Sequence, residues 1–538
     1  MYVQELRPVA DSLGPSALVA ALPLVVVLIL LGGVRLKAHL AGLTGLLAAS
    51  LVACLAYGMP VEQTLSSAAQ GAAFGLFPIL WIVVNALWVY RMTVRTRHFD
   101  VLRRSFGRLS DDPRIQALVV AFCFGALLEA LAGFGAPVAI CSVMLVALGF
   151  DPVRAAVVSL VANTAPVAFG AMATPVVTLA QVTGLPLDSV ASVVGRQTPL
   201  LALVVPLVLV GLVDGRRGLR ETWAPALACG VAFAAVQFAA SNYVSAQLAD
   251  IGASLAGAAA LVALPHARVP ATEPVRASVL TGARGDELDE RDPCRDVVRA
   301  YAPYALIVTV FSIAQIPAVK DWLARATRTF DWPFLDVVAP NGEPVGGNVF
   351  TWPVVSTGGT LVLLAGLATA VVLGVPARVA VREWLATVRE LRFAILTVTS
   401  VLALAYVMNL SGQAATIGHF VAAAGSGLAF LSPVLGWFGV AVSGSDTSSN
   451  ALFGALQVSA ARESGLSPAL LAAANSSGGV LGKMISPQNL TIACAAVGLE
   501  GREGDLLRKV LPWSLGLLLV MCLIVVGQSS PVLSWMLP

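Results

Sequence analysis

Charge is what this 538-residue sequence has least of: Asp, Glu, Lys and Arg make up 12% of it, against roughly 25% in an average soluble domain. Hydrophobic residues make up 58%, and the mean hydropathy is +0.85. That balance excludes a water-soluble enzyme of three or four domains. Histidine is scarce too. His39, His98, His266 and His419 stand far apart, which argues against a haem-bearing or His-ligated metal centre. Of seven cysteines, six (Cys54, Cys123, Cys141, Cys229, Cys494, Cys522) lie in apolar stretches and Cys294 in a charged loop. There is no C-x-x-C, so neither a disulfide framework nor a zinc site is indicated. The net charge is only +3, and the arginines fall in short clusters between apolar runs. Such clusters are topology signals rather than a nucleic-acid surface. No cofactor, metal or nucleic-acid partner is expected.

What is present is a series of apolar stretches near the length that crosses a bilayer core of about 30 Å. The chain is therefore expected to be an all-α polytopic membrane protein. The first run, from Ser16, follows no small-residue cleavage site and reads as a transmembrane helix rather than a signal peptide. Spans at 16–34, 38–57 and 66–90 put Arg35 and Lys37 on the same side as the arginine-rich loop Arg91–Arg114. By the positive-inside rule that side is cytoplasmic and the N-terminus lies outside. Basic loops at Arg216, Arg217 and Arg220, and at Arg378, Arg382, Arg389 and Arg392, fall on the same side after an even number of crossings. The mixed-charge stretch 265–298 reads as a cytoplasmic connector, and 320–353 as an ordered outer loop.

Several helices must break inside the membrane. Residues 115–150 carry one charge, Glu129, and as one helix would run about 54 Å at 1.5 Å per residue, too long for a single span. GFGAP (133–137) marks the break. NTAP (163–166) and MATP (172–175) interrupt the uncharged stretch 155–187 in the same way. Irregular backbone at this depth survives only where protein or a watery cavity satisfies it. Broken helices therefore point to a binding site. The second half repeats the pattern with SGSDTSSN (443–450) and with 473–489. The latter aligns without gaps on the NTAP region at an offset of 312: Asn163 with Asn475, Thr164 with Ser476, Gly170 with Gly482, Met172 with Met484, Thr174 with Ser486, and Pro175 with Pro487. The two halves are expected to run in opposite orientation, as two inverted repeats with re-entrant hairpins and about 12–14 membrane segments.

Each polar break has two readings. NTAP and NSSGG are either helix kinks and caps or half-helix ends that aim N–H groups at a carboxylate. Glu129 and Asp446 are either proton carriers or structural carboxylates satisfied by neighbouring donors. Arg196 either snorkels to the interface or clamps a carboxylate. Lys483 either binds an anion or pairs with Asp446. SSGGVLGKM is no phosphate loop, because that motif needs glycine at Ser477 and Ser or Thr at Met484.

LEALAGFGAPVAI, ANTAPVAFGAM, GRQTP, GSDTSSNALFGALQ and GKMISPQ, in this order, resemble the L-lactate permease family of bacterial lactate and glycolate permeases. The resemblance implies uptake of a 2-hydroxymonocarboxylate with a proton across the inner membrane, and no enzyme activity. Similarity to the wider ion transporter superfamily implies an elevator motion and a possible homodimer. Leu131 stands where that family commonly has a small residue, and is expected to trim the cavity. The expected organisation is N-terminal helices (1–65), a first transport repeat (66–213), connecting helices (214–390), a second repeat (391–505) and a C-terminal helix (506–538). Substrate contacts are expected from Gly133, Gly135, Asn163, Thr164, Arg196, Ser445, Thr447, Asn450, Asn475, Ser476 and Lys483, with Glu129 or Asp446 carrying the proton. Sodium-coupled transport of another organic anion is the rival within transport. A membrane sensor or enzyme is the rival outside it, against which stands the lack of a catalytic or signalling domain.

Overall fold

The computed structural model describes residues 1–34, 36–107, 109–110, 112–133, 135–264, 292–340, 342 and 345–538. Most of the expected connector 265–298, with His266, lies outside the described residues, as does Arg35. Apolar side chains leave the backbone no solvent partner in a bilayer, so each long run closes its own hydrogen bonds as a helix. Ten described helices are long and apolar enough to cross a membrane, or eleven with the bent pair Pro152–Ala162 and Val167–Thr183, which turns by 66°. The architecture is all-α and polytopic, as expected. With the shorter apolar helices Ala136–Ala147 and Gly358–Val372 counted too, the described segments number twelve or thirteen, against the 12–14 expected.

The basic stretch between residues 91 and 114 gathers ion pairs at one end of the bundle. Arg91 bonds Glu383 at 3.2 Å and also Glu390, and Arg104 bonds Asp292. Arg114 joins Asp112, Asp214 and Glu221 at 2.7, 3.3 and 2.6 Å. Asp214 and Gly215 break the long Leu187–Ala239 helix into two legs at that end. The N-terminus goes elsewhere. Tyr2–Val3 pairs in parallel with Val337–Val338, and the Tyr2 hydroxyl donates to the carbonyls of Tyr57 and Ser411. A second ribbon pairs Thr327–Asp331 with Val349–Pro353. The N-terminus therefore sits on the same face as the ordered loop 320–353.

Close backbone contact replaces the hydrophobic drive that water would supply. The Leu428–Ser443 helix lies on Pro468–Gly482 so tightly that a Cβ at Gly478 would stand 2.5 Å from Pro433 Cα, and one at Gly436 would stand 2.8 Å from Asn475 Cα. This packing accounts for one departure from the sequence reading. NSSGG is no break: the helix runs through Asn475 to Gly482, and the chain turns only at Lys483–Ile485. In the first half the helix does end at Ala162, and the next begins after a left-handed turn at Ala171–Ala173. The matched Pro175 and Pro487 both open helices. Gly478→Ala is expected to lower the melting temperature of the purified protein, since overpacking costs about 1–3 kcal/mol. Gly516→Ala, where nothing lies within 4 Å, should leave it unchanged or slightly raised. Equal responses in a thermal-melt comparison would contradict the backbone contact.

Candidate functional site

Three turns made by these breaks meet around one cavity. The first is at Gly133, where the Gly125–Ala132 helix stops, before Gly135 (φ +86°) caps Ala136–Ala147. The second is the left-handed turn of Ala171, Met172 and Ala173, with φ of 44°, 58° and 60°. For residues with a Cβ that conformation costs about 1–2 kcal/mol each. The third is Gly444 and Ser445, between Leu428–Ser443 and Asp446–Ser464. The cavity has about 50 Å³ of free volume, on a measure where one water needs about 10–15 Å³. Glu129, Gly133, Gly170, Ala171, Thr174, Gly444, Ser445, Asp446, Thr447 and Lys483 form most of its wall.

Its charged centre joins the two halves of the chain. Lys483 Nζ lies 2.6 Å from Glu129 Oε1, and Asn163 Nδ2 donates to Glu129 Oε2 at 2.9 Å. Lys483 thus pairs with Glu129, not with Asp446. Gly170 makes room for the carboxyl, since a Cβ there would stand 2.8 Å from Oε1. Lys483 is held at its backbone, its carbonyl accepting from Asn489 Nδ2 and Ser486 Oγ, both at 2.9 Å. Asp446 has its own support. Ser476 Oγ donates to its Oδ2 at 2.6 Å and Asn450 Nδ2 at 3.4 Å. Behind it, Asn475 donates to Asn450 Oδ1, and Gln457 donates to Asn475 Oδ1.

Of the residues expected from sequence, Glu129, Gly133, Ser445, Asp446, Thr447 and Lys483 reach the cavity. The others do not line it. Asn163, Asn450, Asn475 and Ser476 stand one layer back, holding the carboxyls or one another. Thr164 spends its hydroxyl on the Val161 carbonyl, and Gly135 abuts Ile492 and Asn489. Arg196 is no clamp on this cavity: its Nε bonds Asn242 Oδ1 and its Nη1 bonds the Met536 carbonyl, beside Trp535. It secures the C-terminus instead. Leu131 is buried in the apolar core and does not trim the cavity. Sequence reasoning missed Gly170, Thr174 and Gln457. The first two were in view, because the gapless match includes Gly170 with Gly482 and Thr174 with Ser486. Gln457 closes the GSDTSSNALFGALQ stretch, but its place in the sequence does not show that its amide reaches Asn475.

The buried pair sets a stability expectation. Removing one partner of such a pair costs about 3–5 kcal/mol, whereas replacing both is often nearly neutral. Lys483→Met alone should therefore destabilise the folded protein clearly. Adding Glu129→Gln should restore most of the loss in a thermal melt. Additive losses would mean that the two side chains are not paired.

The sequence has counterparts among known proteins. A sequence profile described as L-lactate permease matches residues 16–530. The chain is 41% identical to the L-lactate permease of Bacillus subtilis over the whole of both proteins. It is 39% identical to the L-lactate permease of Salmonella typhimurium over 98% of each. It is also 39% identical to the glycolate permease GlcA of Escherichia coli over 94% of each. With a match of this length and identity across broken helices, cavity and termini, the chain belongs to the L-lactate permease family of membrane transporters.

Proposed function

We propose that this protein imports L-lactate, glycolate or a related 2-hydroxymonocarboxylate across the bacterial inner membrane by proton symport, with its N-terminus outside. The names of its relatives support the substrate class. The coupling rests on one observation: the cavity's ammonium, Lys483, is engaged by Glu129 at 2.6 Å. An incoming carboxylate competes for that ammonium. Once it takes Lys483, Glu129 is left as a buried carboxylate with only Asn163 as donor. A bare carboxylate at membrane depth costs about 2.5–3.5 kcal/mol on insertion scales, so Glu129 takes up a proton. The substrate's charge then stands where Glu129's charge stood, and the site carries the same net charge empty and loaded.

That equality permits both the empty and the loaded site to cross the membrane. A site with substrate but no proton holds one more negative charge and is held back. Ser445 and Thr447 offer hydroxyls for the substrate's 2-hydroxyl, and the first turn of the Asp446–Ser464 helix directs free N–H groups to the same space. Because walls from both halves enclose the cavity, we read the motion as an elevator-like displacement of the whole site.

The test is uptake of labelled L-lactate into liposomes under an inward proton gradient, with and without sodium. The expected result is sodium-independent accumulation abolished by a protonophore. Glu129→Gln should lose accumulation yet still exchange internal for external lactate, because the amide stands in for the protonated acid. A sodium requirement, or undiminished accumulation by Glu129→Gln, would overturn the reading.

A further inference from the structure

Asp250 opens the Ala249–Ala263 helix and is 1% exposed. The mechanism above does not use it. One of its oxygens, Oδ1, accepts from Gln237 Nε2 at 2.9 Å; the other, Oδ2, is buried without any hydrogen-bond partner. No cation pairs with it among the described residues. A buried carboxyl left half-satisfied in this way calls for a reason.

Its surroundings supply one. The Gln237 amide also donates to the Ala165 carbonyl, inside the NTAP turn, and the Thr198 hydroxyl donates to the Gln237 oxygen. Two residues before Ala165, Asn163 holds Glu129, and its own Oδ1 is likewise buried without a partner. Gln237 thus ties Asp250 to the broken helix whose Asn163 holds Glu129. On the other side, Asp250 is close to the surface along the chain. Tyr243 and Val244 are exposed, and the polar pair Ser245 and Gln247 (2.6 Å apart) precedes the helix. Gln247 lies against Gly358, just past the ordered loop that shares its face with the N-terminus. Asp250 therefore lies between contacts that lead to that face, through Gln247, and contacts that lead towards Glu129, through Gln237 and the NTAP turn.

We propose that Asp250 is a relay carboxyl that delivers the proton from the outer face to Glu129. As Glu129 loses Lys483 to the substrate, the Asp250 carboxylic acid passes its proton to the Glu129 carboxylate. A proton from water at the Ser245–Gln247 turn then replaces it. Nothing is oxidised or reduced, and one proton moves inward per transfer. The other titratable groups around this route are Asp446 and Lys483 on the cavity wall, Arg196 bonded to Asn242, and the Cys123–Cys229 pair beside Gly257, about two turns along the helix. Gln237 is a positioning residue that holds Asp250 to the broken helix. The proposal rests on the proton-symport reading and adds the route to it.

A relay alters how fast protons arrive, not how many accompany each substrate. Asp250→Asn should slow the initial rate of proton-driven lactate uptake tenfold or more. It should leave lactate–lactate exchange within twofold of the unaltered protein, and the final accumulation ratio unchanged. Asp250→Glu should recover much of the uptake rate with a displaced pH profile. This differs from Glu129→Gln, which loses accumulation itself. If exchange slows as much as net uptake, Asp250 is structural and the proposal fails. If net uptake is unaffected, the proton takes another route. Should Asp250→Asn not reach the membrane, Gln237→Met is expected to give the same split between uptake and exchange. An unaltered protein that moves lactate without protons would remove the symport reading, and the relay with it, before any variant is compared.

Discussion

The bond between Lys483 and Glu129 is the constraint around which the interior is arranged. Either charge alone is costly in the hydrocarbon region, and the pair is tolerable because the two are in contact and further hydrogen-bonded. The contact spans 354 residues of sequence, so it can form only once both halves have folded and their broken helices have met. Gly170 is small so that the Glu129 carboxyl fits, Asn163 fills its second oxygen, and Asn489 and Ser486 fix the lysine backbone. The cavity is the space left where this pair keeps three chain turns from closing on one another.

The membrane explains why those turns have the composition they do. Without water, a half-helix end must place its free N–H and C=O groups on protein or on a ligand. Ser445, Ser467 and Ser486 each cap a helix with the hydroxyl, accepting from the N–H of Ser448, Leu470 and Asn489. The left-handed run at Ala171–Ala173 is the costly exception. It consists of residues with side chains, in a conformation glycine would occupy freely. The neighbouring Thr174 hydroxyl bonds the Ala171 carbonyl at 2.5 Å and offsets part of that cost. Strain of this kind persists only where surrounding structure dictates it, and such places gather at sites that bind or move.

The positions of the breaks were legible because their cause is local. GFGAP, MATP and SGSDTSSN contain residues that a continuous helix rejects, and the chain bends at each. NSSGG was misread for the opposite reason. Its glycines serve a neighbouring helix rather than a turn, and no local pattern tells Gly478 at a backbone contact from glycine at a bend. The asparagines looked like ligands because polar groups at membrane depth need partners. Their partners are the carboxyls and one another, a pairing that depends on which helices lie side by side. Arg196 shows the same limit: its carbonyl partner, Met536, lies 340 residues away. Nothing in the sequence separates Asp250 from an acid at the membrane interface, and only the fold shows it 1% exposed.

Charge accounting links these pieces. Among the described residues, the Lys483 ammonium is buried and so are three carboxyl groups, on Glu129, Asp446 and Asp250. If Glu129 alone of the three is ionised, these groups sum to neutral: ammonium and carboxylate cancel, and the other two acids hold their protons. In the proposed symport, a bound monocarboxylate adds a negative charge, and a proton taken up at the group that has lost its cation restores neutrality. Ser476 and Asn450 fix Asp446 within its own half, whereas Glu129 shares a bond across the halves and is the carboxyl an incoming anion can displace. In the proposed symport, a single cation that two anions cannot share, inside a medium that penalises net charge, is what would tie the substrate to a proton.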